Sequence, residues 1–106
     1  MTGPAASNNP PAETAPATLV REVDIVNKKG LHARASAKFV QVAEQYDANI
    51  KVTRGHETVG GTSIMGLMML AAAPGTKITI AVTGNEAEEA MNALCALVAN
   101  RFGEED

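Results

Sequence analysis

The sequence predicts an α+β open-faced β-sandwich of order β-α-β-β-α-β-α, a four-stranded antiparallel sheet with three helices on one face. Three observations carry this expectation. Short stretches alternate apolar and polar residues, most clearly Ile78, Ile80 and Val82 between Thr79, Ala81 and Thr83. Between such stretches lie helical stripes, as in Ala35, Phe39, Val42 and Tyr46 at 4-3-4 spacing. The strands are also few and polar on one side, so a sheet covered by helices on both faces is excluded.

Each element can be justified in turn. Residues 1–18 are rich in Ala, Pro, Asn, Ser and Thr, with Glu13 their only charged side chain and no hydrophobic period; they are expected to form a disordered tail, with a docking arm as the alternative. The folded domain is expected over residues 19–103, followed by an acidic end at 104–106. Val23 and Ile25 alternate with Glu22 and Asp24 as a first strand, and Asn27-Lys28-Lys29-Gly30 turns into the first helix, whose stripe Val40 and Ala43 widen. Ile50 and Val52 alternate with Lys51 and Thr53, Gly55-His56 makes a turn, and Thr58-Val59 opens a partner strand, which together predict a hairpin. Gly60-Gly61 reads as a flexible link and lacks the Lys and Ser/Thr of a phosphate loop. Ser63 is an N-cap for a short helix reaching about Ala72, ended by Pro74-Gly75. Leu67 and Leu70 have the spacing of its buried side and Ile64, Met65 and Met68 that of its outer side, with Met69 a candidate for the core. The last helix is expected to start at Asn85 with Glu88 as capping-box partner, and to bury Ala87, Ala90, Met91, Leu94, Leu97, Val98 and Phe102.

Composition narrows the function classes. With 106 residues there is room for one domain. Nine Lys and Arg stand against twelve Asp and Glu, for a net charge of −3, with no basic block and 3% aromatic residues, so nucleic acid is not an expected partner. Cys95 is the single cysteine, and His32 and His56 are the only other soft ligands, so no internal disulfide, zinc site or cofactor is expected. Cys95 falls beside the stripe of the last helix as a packing residue, and His56 is expected to be solvated in its turn. Neither a run of about 20 apolar residues nor the pattern of a signal peptide occurs. A cytoplasmic protein without membrane insertion is the expectation.

One segment carries chemistry. Gly30-Leu31-His32-Ala33-Arg34-Ala35 sets an imidazole and a guanidinium two residues apart at the start of a helix, where unpaired amides and the helix dipole favour a dianion. A neutral ring nitrogen of His32 can act as a nucleophile, and the fork of Arg34 can hold phosphoryl oxygens. On spacing alone, a merely solvated histidine carries equal weight.

The surrounding residues shift that balance. Gly30 to Val40, read as Gly-Leu-His-Ala-Arg-Ala-Ser-Ala-Lys-Phe-Val, closely resembles the active-site segment of the histidine-containing phosphocarrier (HPr) family of the bacterial phosphotransferase system. Ser63-Ile64-Met65-Gly66-Leu67-Met68 resembles that family's regulatory-serine helix, and the resemblance runs from about Val20 to about Phe102. It implies a phosphoryl carrier, not an enzyme: Nδ1 of His32 accepts the group from phospho-enzyme I and gives it to an enzyme IIA domain, with Arg34 stabilising the phosphoryl oxygens. It further implies a monomer, phosphorylation of Ser63 by an HPr kinase/phosphorylase, and a docking patch of Ile64, Met65, Met68 and Arg34. His32, Arg34 and Ser63 would share one surface, with the starts of the first two helices side by side. Two departures stand out: Ala35 where the family usually has Pro, and Thr62 where a basic residue often precedes the serine. Two other classes remain in view, a regulatory binding module of the same fold and a ferredoxin-like module. Absence of Cys-x-x-Cys and of aromatic strand residues argues against the second.

Overall fold

The computed structural model describes residues 18–104; the expected tail therefore lies outside the described residues apart from Thr18. The elements are β1 (Leu19–Asp24), α1 (Ala33–Ala43), β2 (Asn49–Arg54), β3 (Glu57–Gly60), α2 (Ile64–Met69), β4 (Lys77–Thr83) and α3 (Ala87–Ala99), followed by a 3-10 turn over Arg101–Gly103. The four strands form one antiparallel sheet in the order β1-β4-β2-β3. In the central strand β4, Ile78, Ile80 and Val82 are buried while Thr79, Ala81 and Thr83 are half-exposed. Ile50 lies opposite Val82, and Val52 opposite Ile80, so one face of the sheet is a continuous apolar floor. Phe39 from α1, Leu67 from α2, and Met91, Leu94 and Val98 from α3 close over it. Each such side chain contributes about 1.5–3 kcal/mol when taken out of water, which makes this layer the main source of stability. The open-faced architecture is the one the alternation predicts.

Several local readings need correction. α2 ends at Met69 rather than near Ala72: Ala71 is left-handed at φ +52, and Met69 is 67% exposed, not core. α3 begins at Ala87, with no side-chain cap from Glu86. The expected cap Asn85 donates instead to the Asp47 carboxylate, and Glu86 accepts the Asp47 amide, so a loop distant in sequence has taken both groups. Leu97 is only half-buried, and Phe102 belongs to the turn after α3. Val42 in α1 and Tyr46 beyond its end lie partly exposed, while Ser36 of α1 is buried with its hydroxyl donating to Leu31 O at 3.3 Å. Gly61 is a packing requirement more than a flexible link. A Cβ there would stand 2.4 Å from Cγ2 of Ile50, and its amide donates to Ile50 O at 2.8 Å.

Candidate phosphoryl-accepting site

Gly30 sets up the entry to α1. Its φ is +68, and a Cβ would lie 2.4 Å from Ala72 O, so both backbone angle and close approach exclude larger residues. Leu31 N then donates to Ala72 O at 3.0 Å, pinning the chain just before α1 to the segment just after α2. It is thus the end of α2, not its start, that meets the start of α1. Ser63 sits at the far end of a helix about 9 Å long and is not among the residues lining the groove around His32. The sequence expectation that the two helix starts adjoin is corrected accordingly.

His32 occupies the N-cap position of α1 in extended conformation, and its side chain makes no cap bond. Ser36 N, bonded to His32 O at 2.9 Å, is the first amide of α1 held by the cap residue. The amides of the exposed residues Ala33 and Arg34 precede it and point out of the helix start. Ala35 is fully buried and the helix forms around it without the proline. An open groove of about 760 Å³ lies over this start, lined by Lys28, Lys29, His32, Ala33, Arg34, Lys38, Gly103 and Glu104. Four of the chain's nine Lys and Arg therefore face one carboxylate there, so the groove is positive although the chain carries −3 overall. Such a surface focuses a field that favours anions.

The imidazole has one partner that sequence reasoning missed. Nε2 of His32 lies 2.5 Å from Oε2 of Glu104, whose Oε1 accepts from Asn27 Nδ2 at 3.0 Å. Asn27 is fully buried and gives its other amide hydrogen to Gly30 O at 2.8 Å. Burial pushes the Glu104 carboxyl up, but hydrogen bonds from Asn27 and His32 and the positive charges of His32 and Lys29 outweigh that and hold it below its usual value. Glu104, set apart in the sequence with the acidic end, is part of the packed site. No local signal marks it, because its contact to His32 spans 72 residues.

The remaining candidates fall elsewhere. Ser63 caps α2, its Oγ accepting the Gly66 amide at 3.0 Å. Ile64 and Met68 are each 41% exposed and Met65 71%, so α2 presents an apolar outer face, extended by Met69. His56 is exposed in its turn, and Cys95 packs half-buried against the core. No described helix is long and apolar enough to cross a membrane.

Comparison with known proteins places this geometry. The family profile described as "PTS HPr component phosphorylation site" matches residues 19–100. The chain is 51% identical over 86 residues to a phosphocarrier protein HPr of Cupriavidus necator, an alignment covering 81% of this chain and 97% of that one. It is 42% identical over 86 residues to a phosphocarrier protein NPr of Shewanella violacea, covering 81% and 94%. Among solved structures it superposes on HPr-C-His from Thermoanaerobacter tengcongensis with a TM-score of 0.79 at 39% identity, covering 83% of this chain and 99% of that one. A positive groove over an uncapped helix start with a histidine at its lip, in a fold shared with these carriers, leads to one conclusion: the chain belongs to the HPr family and is a phosphocarrier of the phosphotransferase system.

Proposed function

We propose that His32 is the residue of this carrier that takes up and passes on the phosphoryl group, through Nδ1. The observation that carries the reading is the engagement of Nε2 by Glu104 beside a cationic groove, which leaves Nδ1 as the uncommitted nitrogen. In transfer, the phosphorus–nitrogen bond of a donor phosphohistidine breaks as the Nδ1–phosphorus bond forms in line with it. Arg34 and the amides of Ala33 and Arg34 hold the equatorial oxygens. The groove is open, so the phosphorylated ring stays accessible and can give the group away again.

Phospho-enzyme I is the donor in this reading and an enzyme IIA domain the acceptor. The exposed face of Ile64, Met65 and Met68 supports a docking role together with Arg34, since methionine adapts to several partner surfaces. A phosphate on Ser63, placed by an HPr kinase/phosphorylase, would sit at that face and act on docking by charge. A carrier that shuttles between partners works as a freely diffusing monomer, here in the cytoplasm. Incubation with phosphoenolpyruvate and enzyme I should load one phosphoryl group in an acid-labile, base-stable linkage, and His32→Ala should load none. Label persisting in a folded His32→Ala protein overturns the assignment.

A further inference from the structure

The chain beyond α3 adopts a conformation that its own residue types disfavour. Arg101, Phe102 and Gly103 are three consecutive left-handed residues, at φ +58, +56 and +75, and the first two carry a Cβ that this backbone crowds. Such a run persists only where its surroundings fix it. Phe102 is fully buried in the core, and its carbonyl accepts from Lys38 Nζ of α1 at 2.7 Å. Gly103 N and Glu104 N donate back to Asn100 O and Arg101 O, each at 3.0 Å. The resulting hook delivers Glu104 onto His32, and Glu104 lies outside the residues 19–100 that the family profile covers.

We propose that Glu104 is a positioning residue for phosphoryl transfer, holding the His32 ring by Nε2 so that Nδ1 alone meets the incoming phosphorus. The inference rests on the reading of His32 as the acceptor. In the neutral ring the proton sits on Nε2 and is donated to the carboxylate, which leaves the lone pair on Nδ1. As the Nδ1–phosphorus bond forms, the donor's nitrogen–phosphorus bond breaks and its electron pair stays with the donor nitrogen. The ring keeps its Nε2 proton and gains positive charge, and the facing carboxylate stabilises that charge without taking the proton, as in other carboxylate–histidine pairs. Asn27 holds the carboxylate in turn. Both of its amide hydrogens are used, on Gly30 O and Glu104 Oε1, while its own buried Oδ1 has no partner among the described residues. Such an unpaired buried oxygen is unfavourable, yet turning the amide over would set that oxygen against two acceptors, Gly30 O and Glu104 Oε1. The competing role is a carboxylate that fills the anion site and repels the donor.

The full chain, Glu104→Ala and Glu104→Gln are phosphorylated with phosphoramidate, a small donor that needs no docking surface, and the phosphohistidine isomer is assigned by 15N and 31P NMR. Transfer rates from phospho-enzyme I are measured alongside. The parent should carry phosphate on Nδ1 only. Glu104→Ala should yield both isomers and accept from enzyme I roughly tenfold more slowly, the scale of effect when an orienting partner of a histidine is removed. Glu104→Gln keeps an oxygen for the Nε2 proton and should retain Nδ1 selectivity. Exclusive Nδ1 labelling of Glu104→Ala at the parent rate overturns the proposal, and faster transfer overturns it in favour of the repelling role. A parent protein that takes no label on His32 refutes the acceptor assignment itself. A labelled parent with an indifferent Glu104→Ala removes only the role of Glu104.

Discussion

The starts of α1 and α2 offer the same backbone feature and opposite outcomes. At α2, Ser63 closes the helix start with its own hydroxyl, and the surrounding side chains are Ile64, Met65 and Met68. At α1 the cap position holds His32, which turns away from the helix amides toward Glu104, while Lys28, Lys29, Arg34 and Lys38 converge on the opening. A helix start therefore becomes a site only where its donors are left unsatisfied and cations gather around them. Where a short polar side chain satisfies them, the same feature is scaffold, and chemistry added there must come from outside as a covalent group.

That contrast can be broken from either side. The largest effect after loss of His32 itself is expected for Arg34→Ala, which removes the planar fork from the open start: phosphoryl transfer from enzyme I should slow by roughly 10²-fold, with the melting temperature nearly unchanged, as stopped-flow transfer and calorimetry would show. An unchanged rate would mean that the amides and lysines alone hold the phosphoryl oxygens. Next comes Ser63→Asp, which keeps an acceptor at the closed start but adds charge beside the apolar face. Transfer should weaken through poorer association with enzyme I, more so at low salt, while stability changes by less than about 1 kcal/mol. If titration of binding finds the same affinity in the folded variant, the α2 face is not part of the docking surface. Ser63→Ala should do the reverse, lowering stability by about 1 kcal/mol in urea unfolding and leaving transfer nearly intact.

The smallest effect is a pH dependence at the open start. Glu104 has a folded value below its ordinary 4.5, so its ionised contacts stabilise the folded chain fully above 4.5, and that contribution is lost as pH falls through the lower folded value. Urea midpoints followed downward from pH 6 should fall less steeply below 4.5 in Glu104→Gln than in the parent. Parallel acid limbs would show that the carboxylate is not tied down in solution.

Local patterns made much of this legible, and the gaps share a cause. Ile78, Ile80 and Val82 announce their strand because each side chain reports its own burial by alternation. Gly30-Leu31-His32-Ala33-Arg34 announces a cationic groove at a helix start because His32, Ala33 and Arg34, which line it, are close in sequence. Asn85 failed as a cap because Asp47, 38 residues away, competes for its amide. Glu104 and Asn27 escaped notice for the same reason: nothing near an acidic residue at 104 or an asparagine in a turn marks a partner that lies about 70 residues away or more. Met69 and the end of α2 were misplaced because apolar composition continues where the backbone has already turned left-handed at Ala71.

The contact between Glu104 and His32 also has a meaning in time. His32 and its partner are 72 residues apart, and at about 5–20 residues per second of synthesis His32 is made several seconds before Glu104 exists. During that interval α1 can form with Arg34 and Lys38 in place, yet nothing holds the imidazole by Nε2. If Glu104 orients that ring, an unfinished chain is a poor acceptor, and competence to carry phosphate arrives only when synthesis has reached the hook that closes the site.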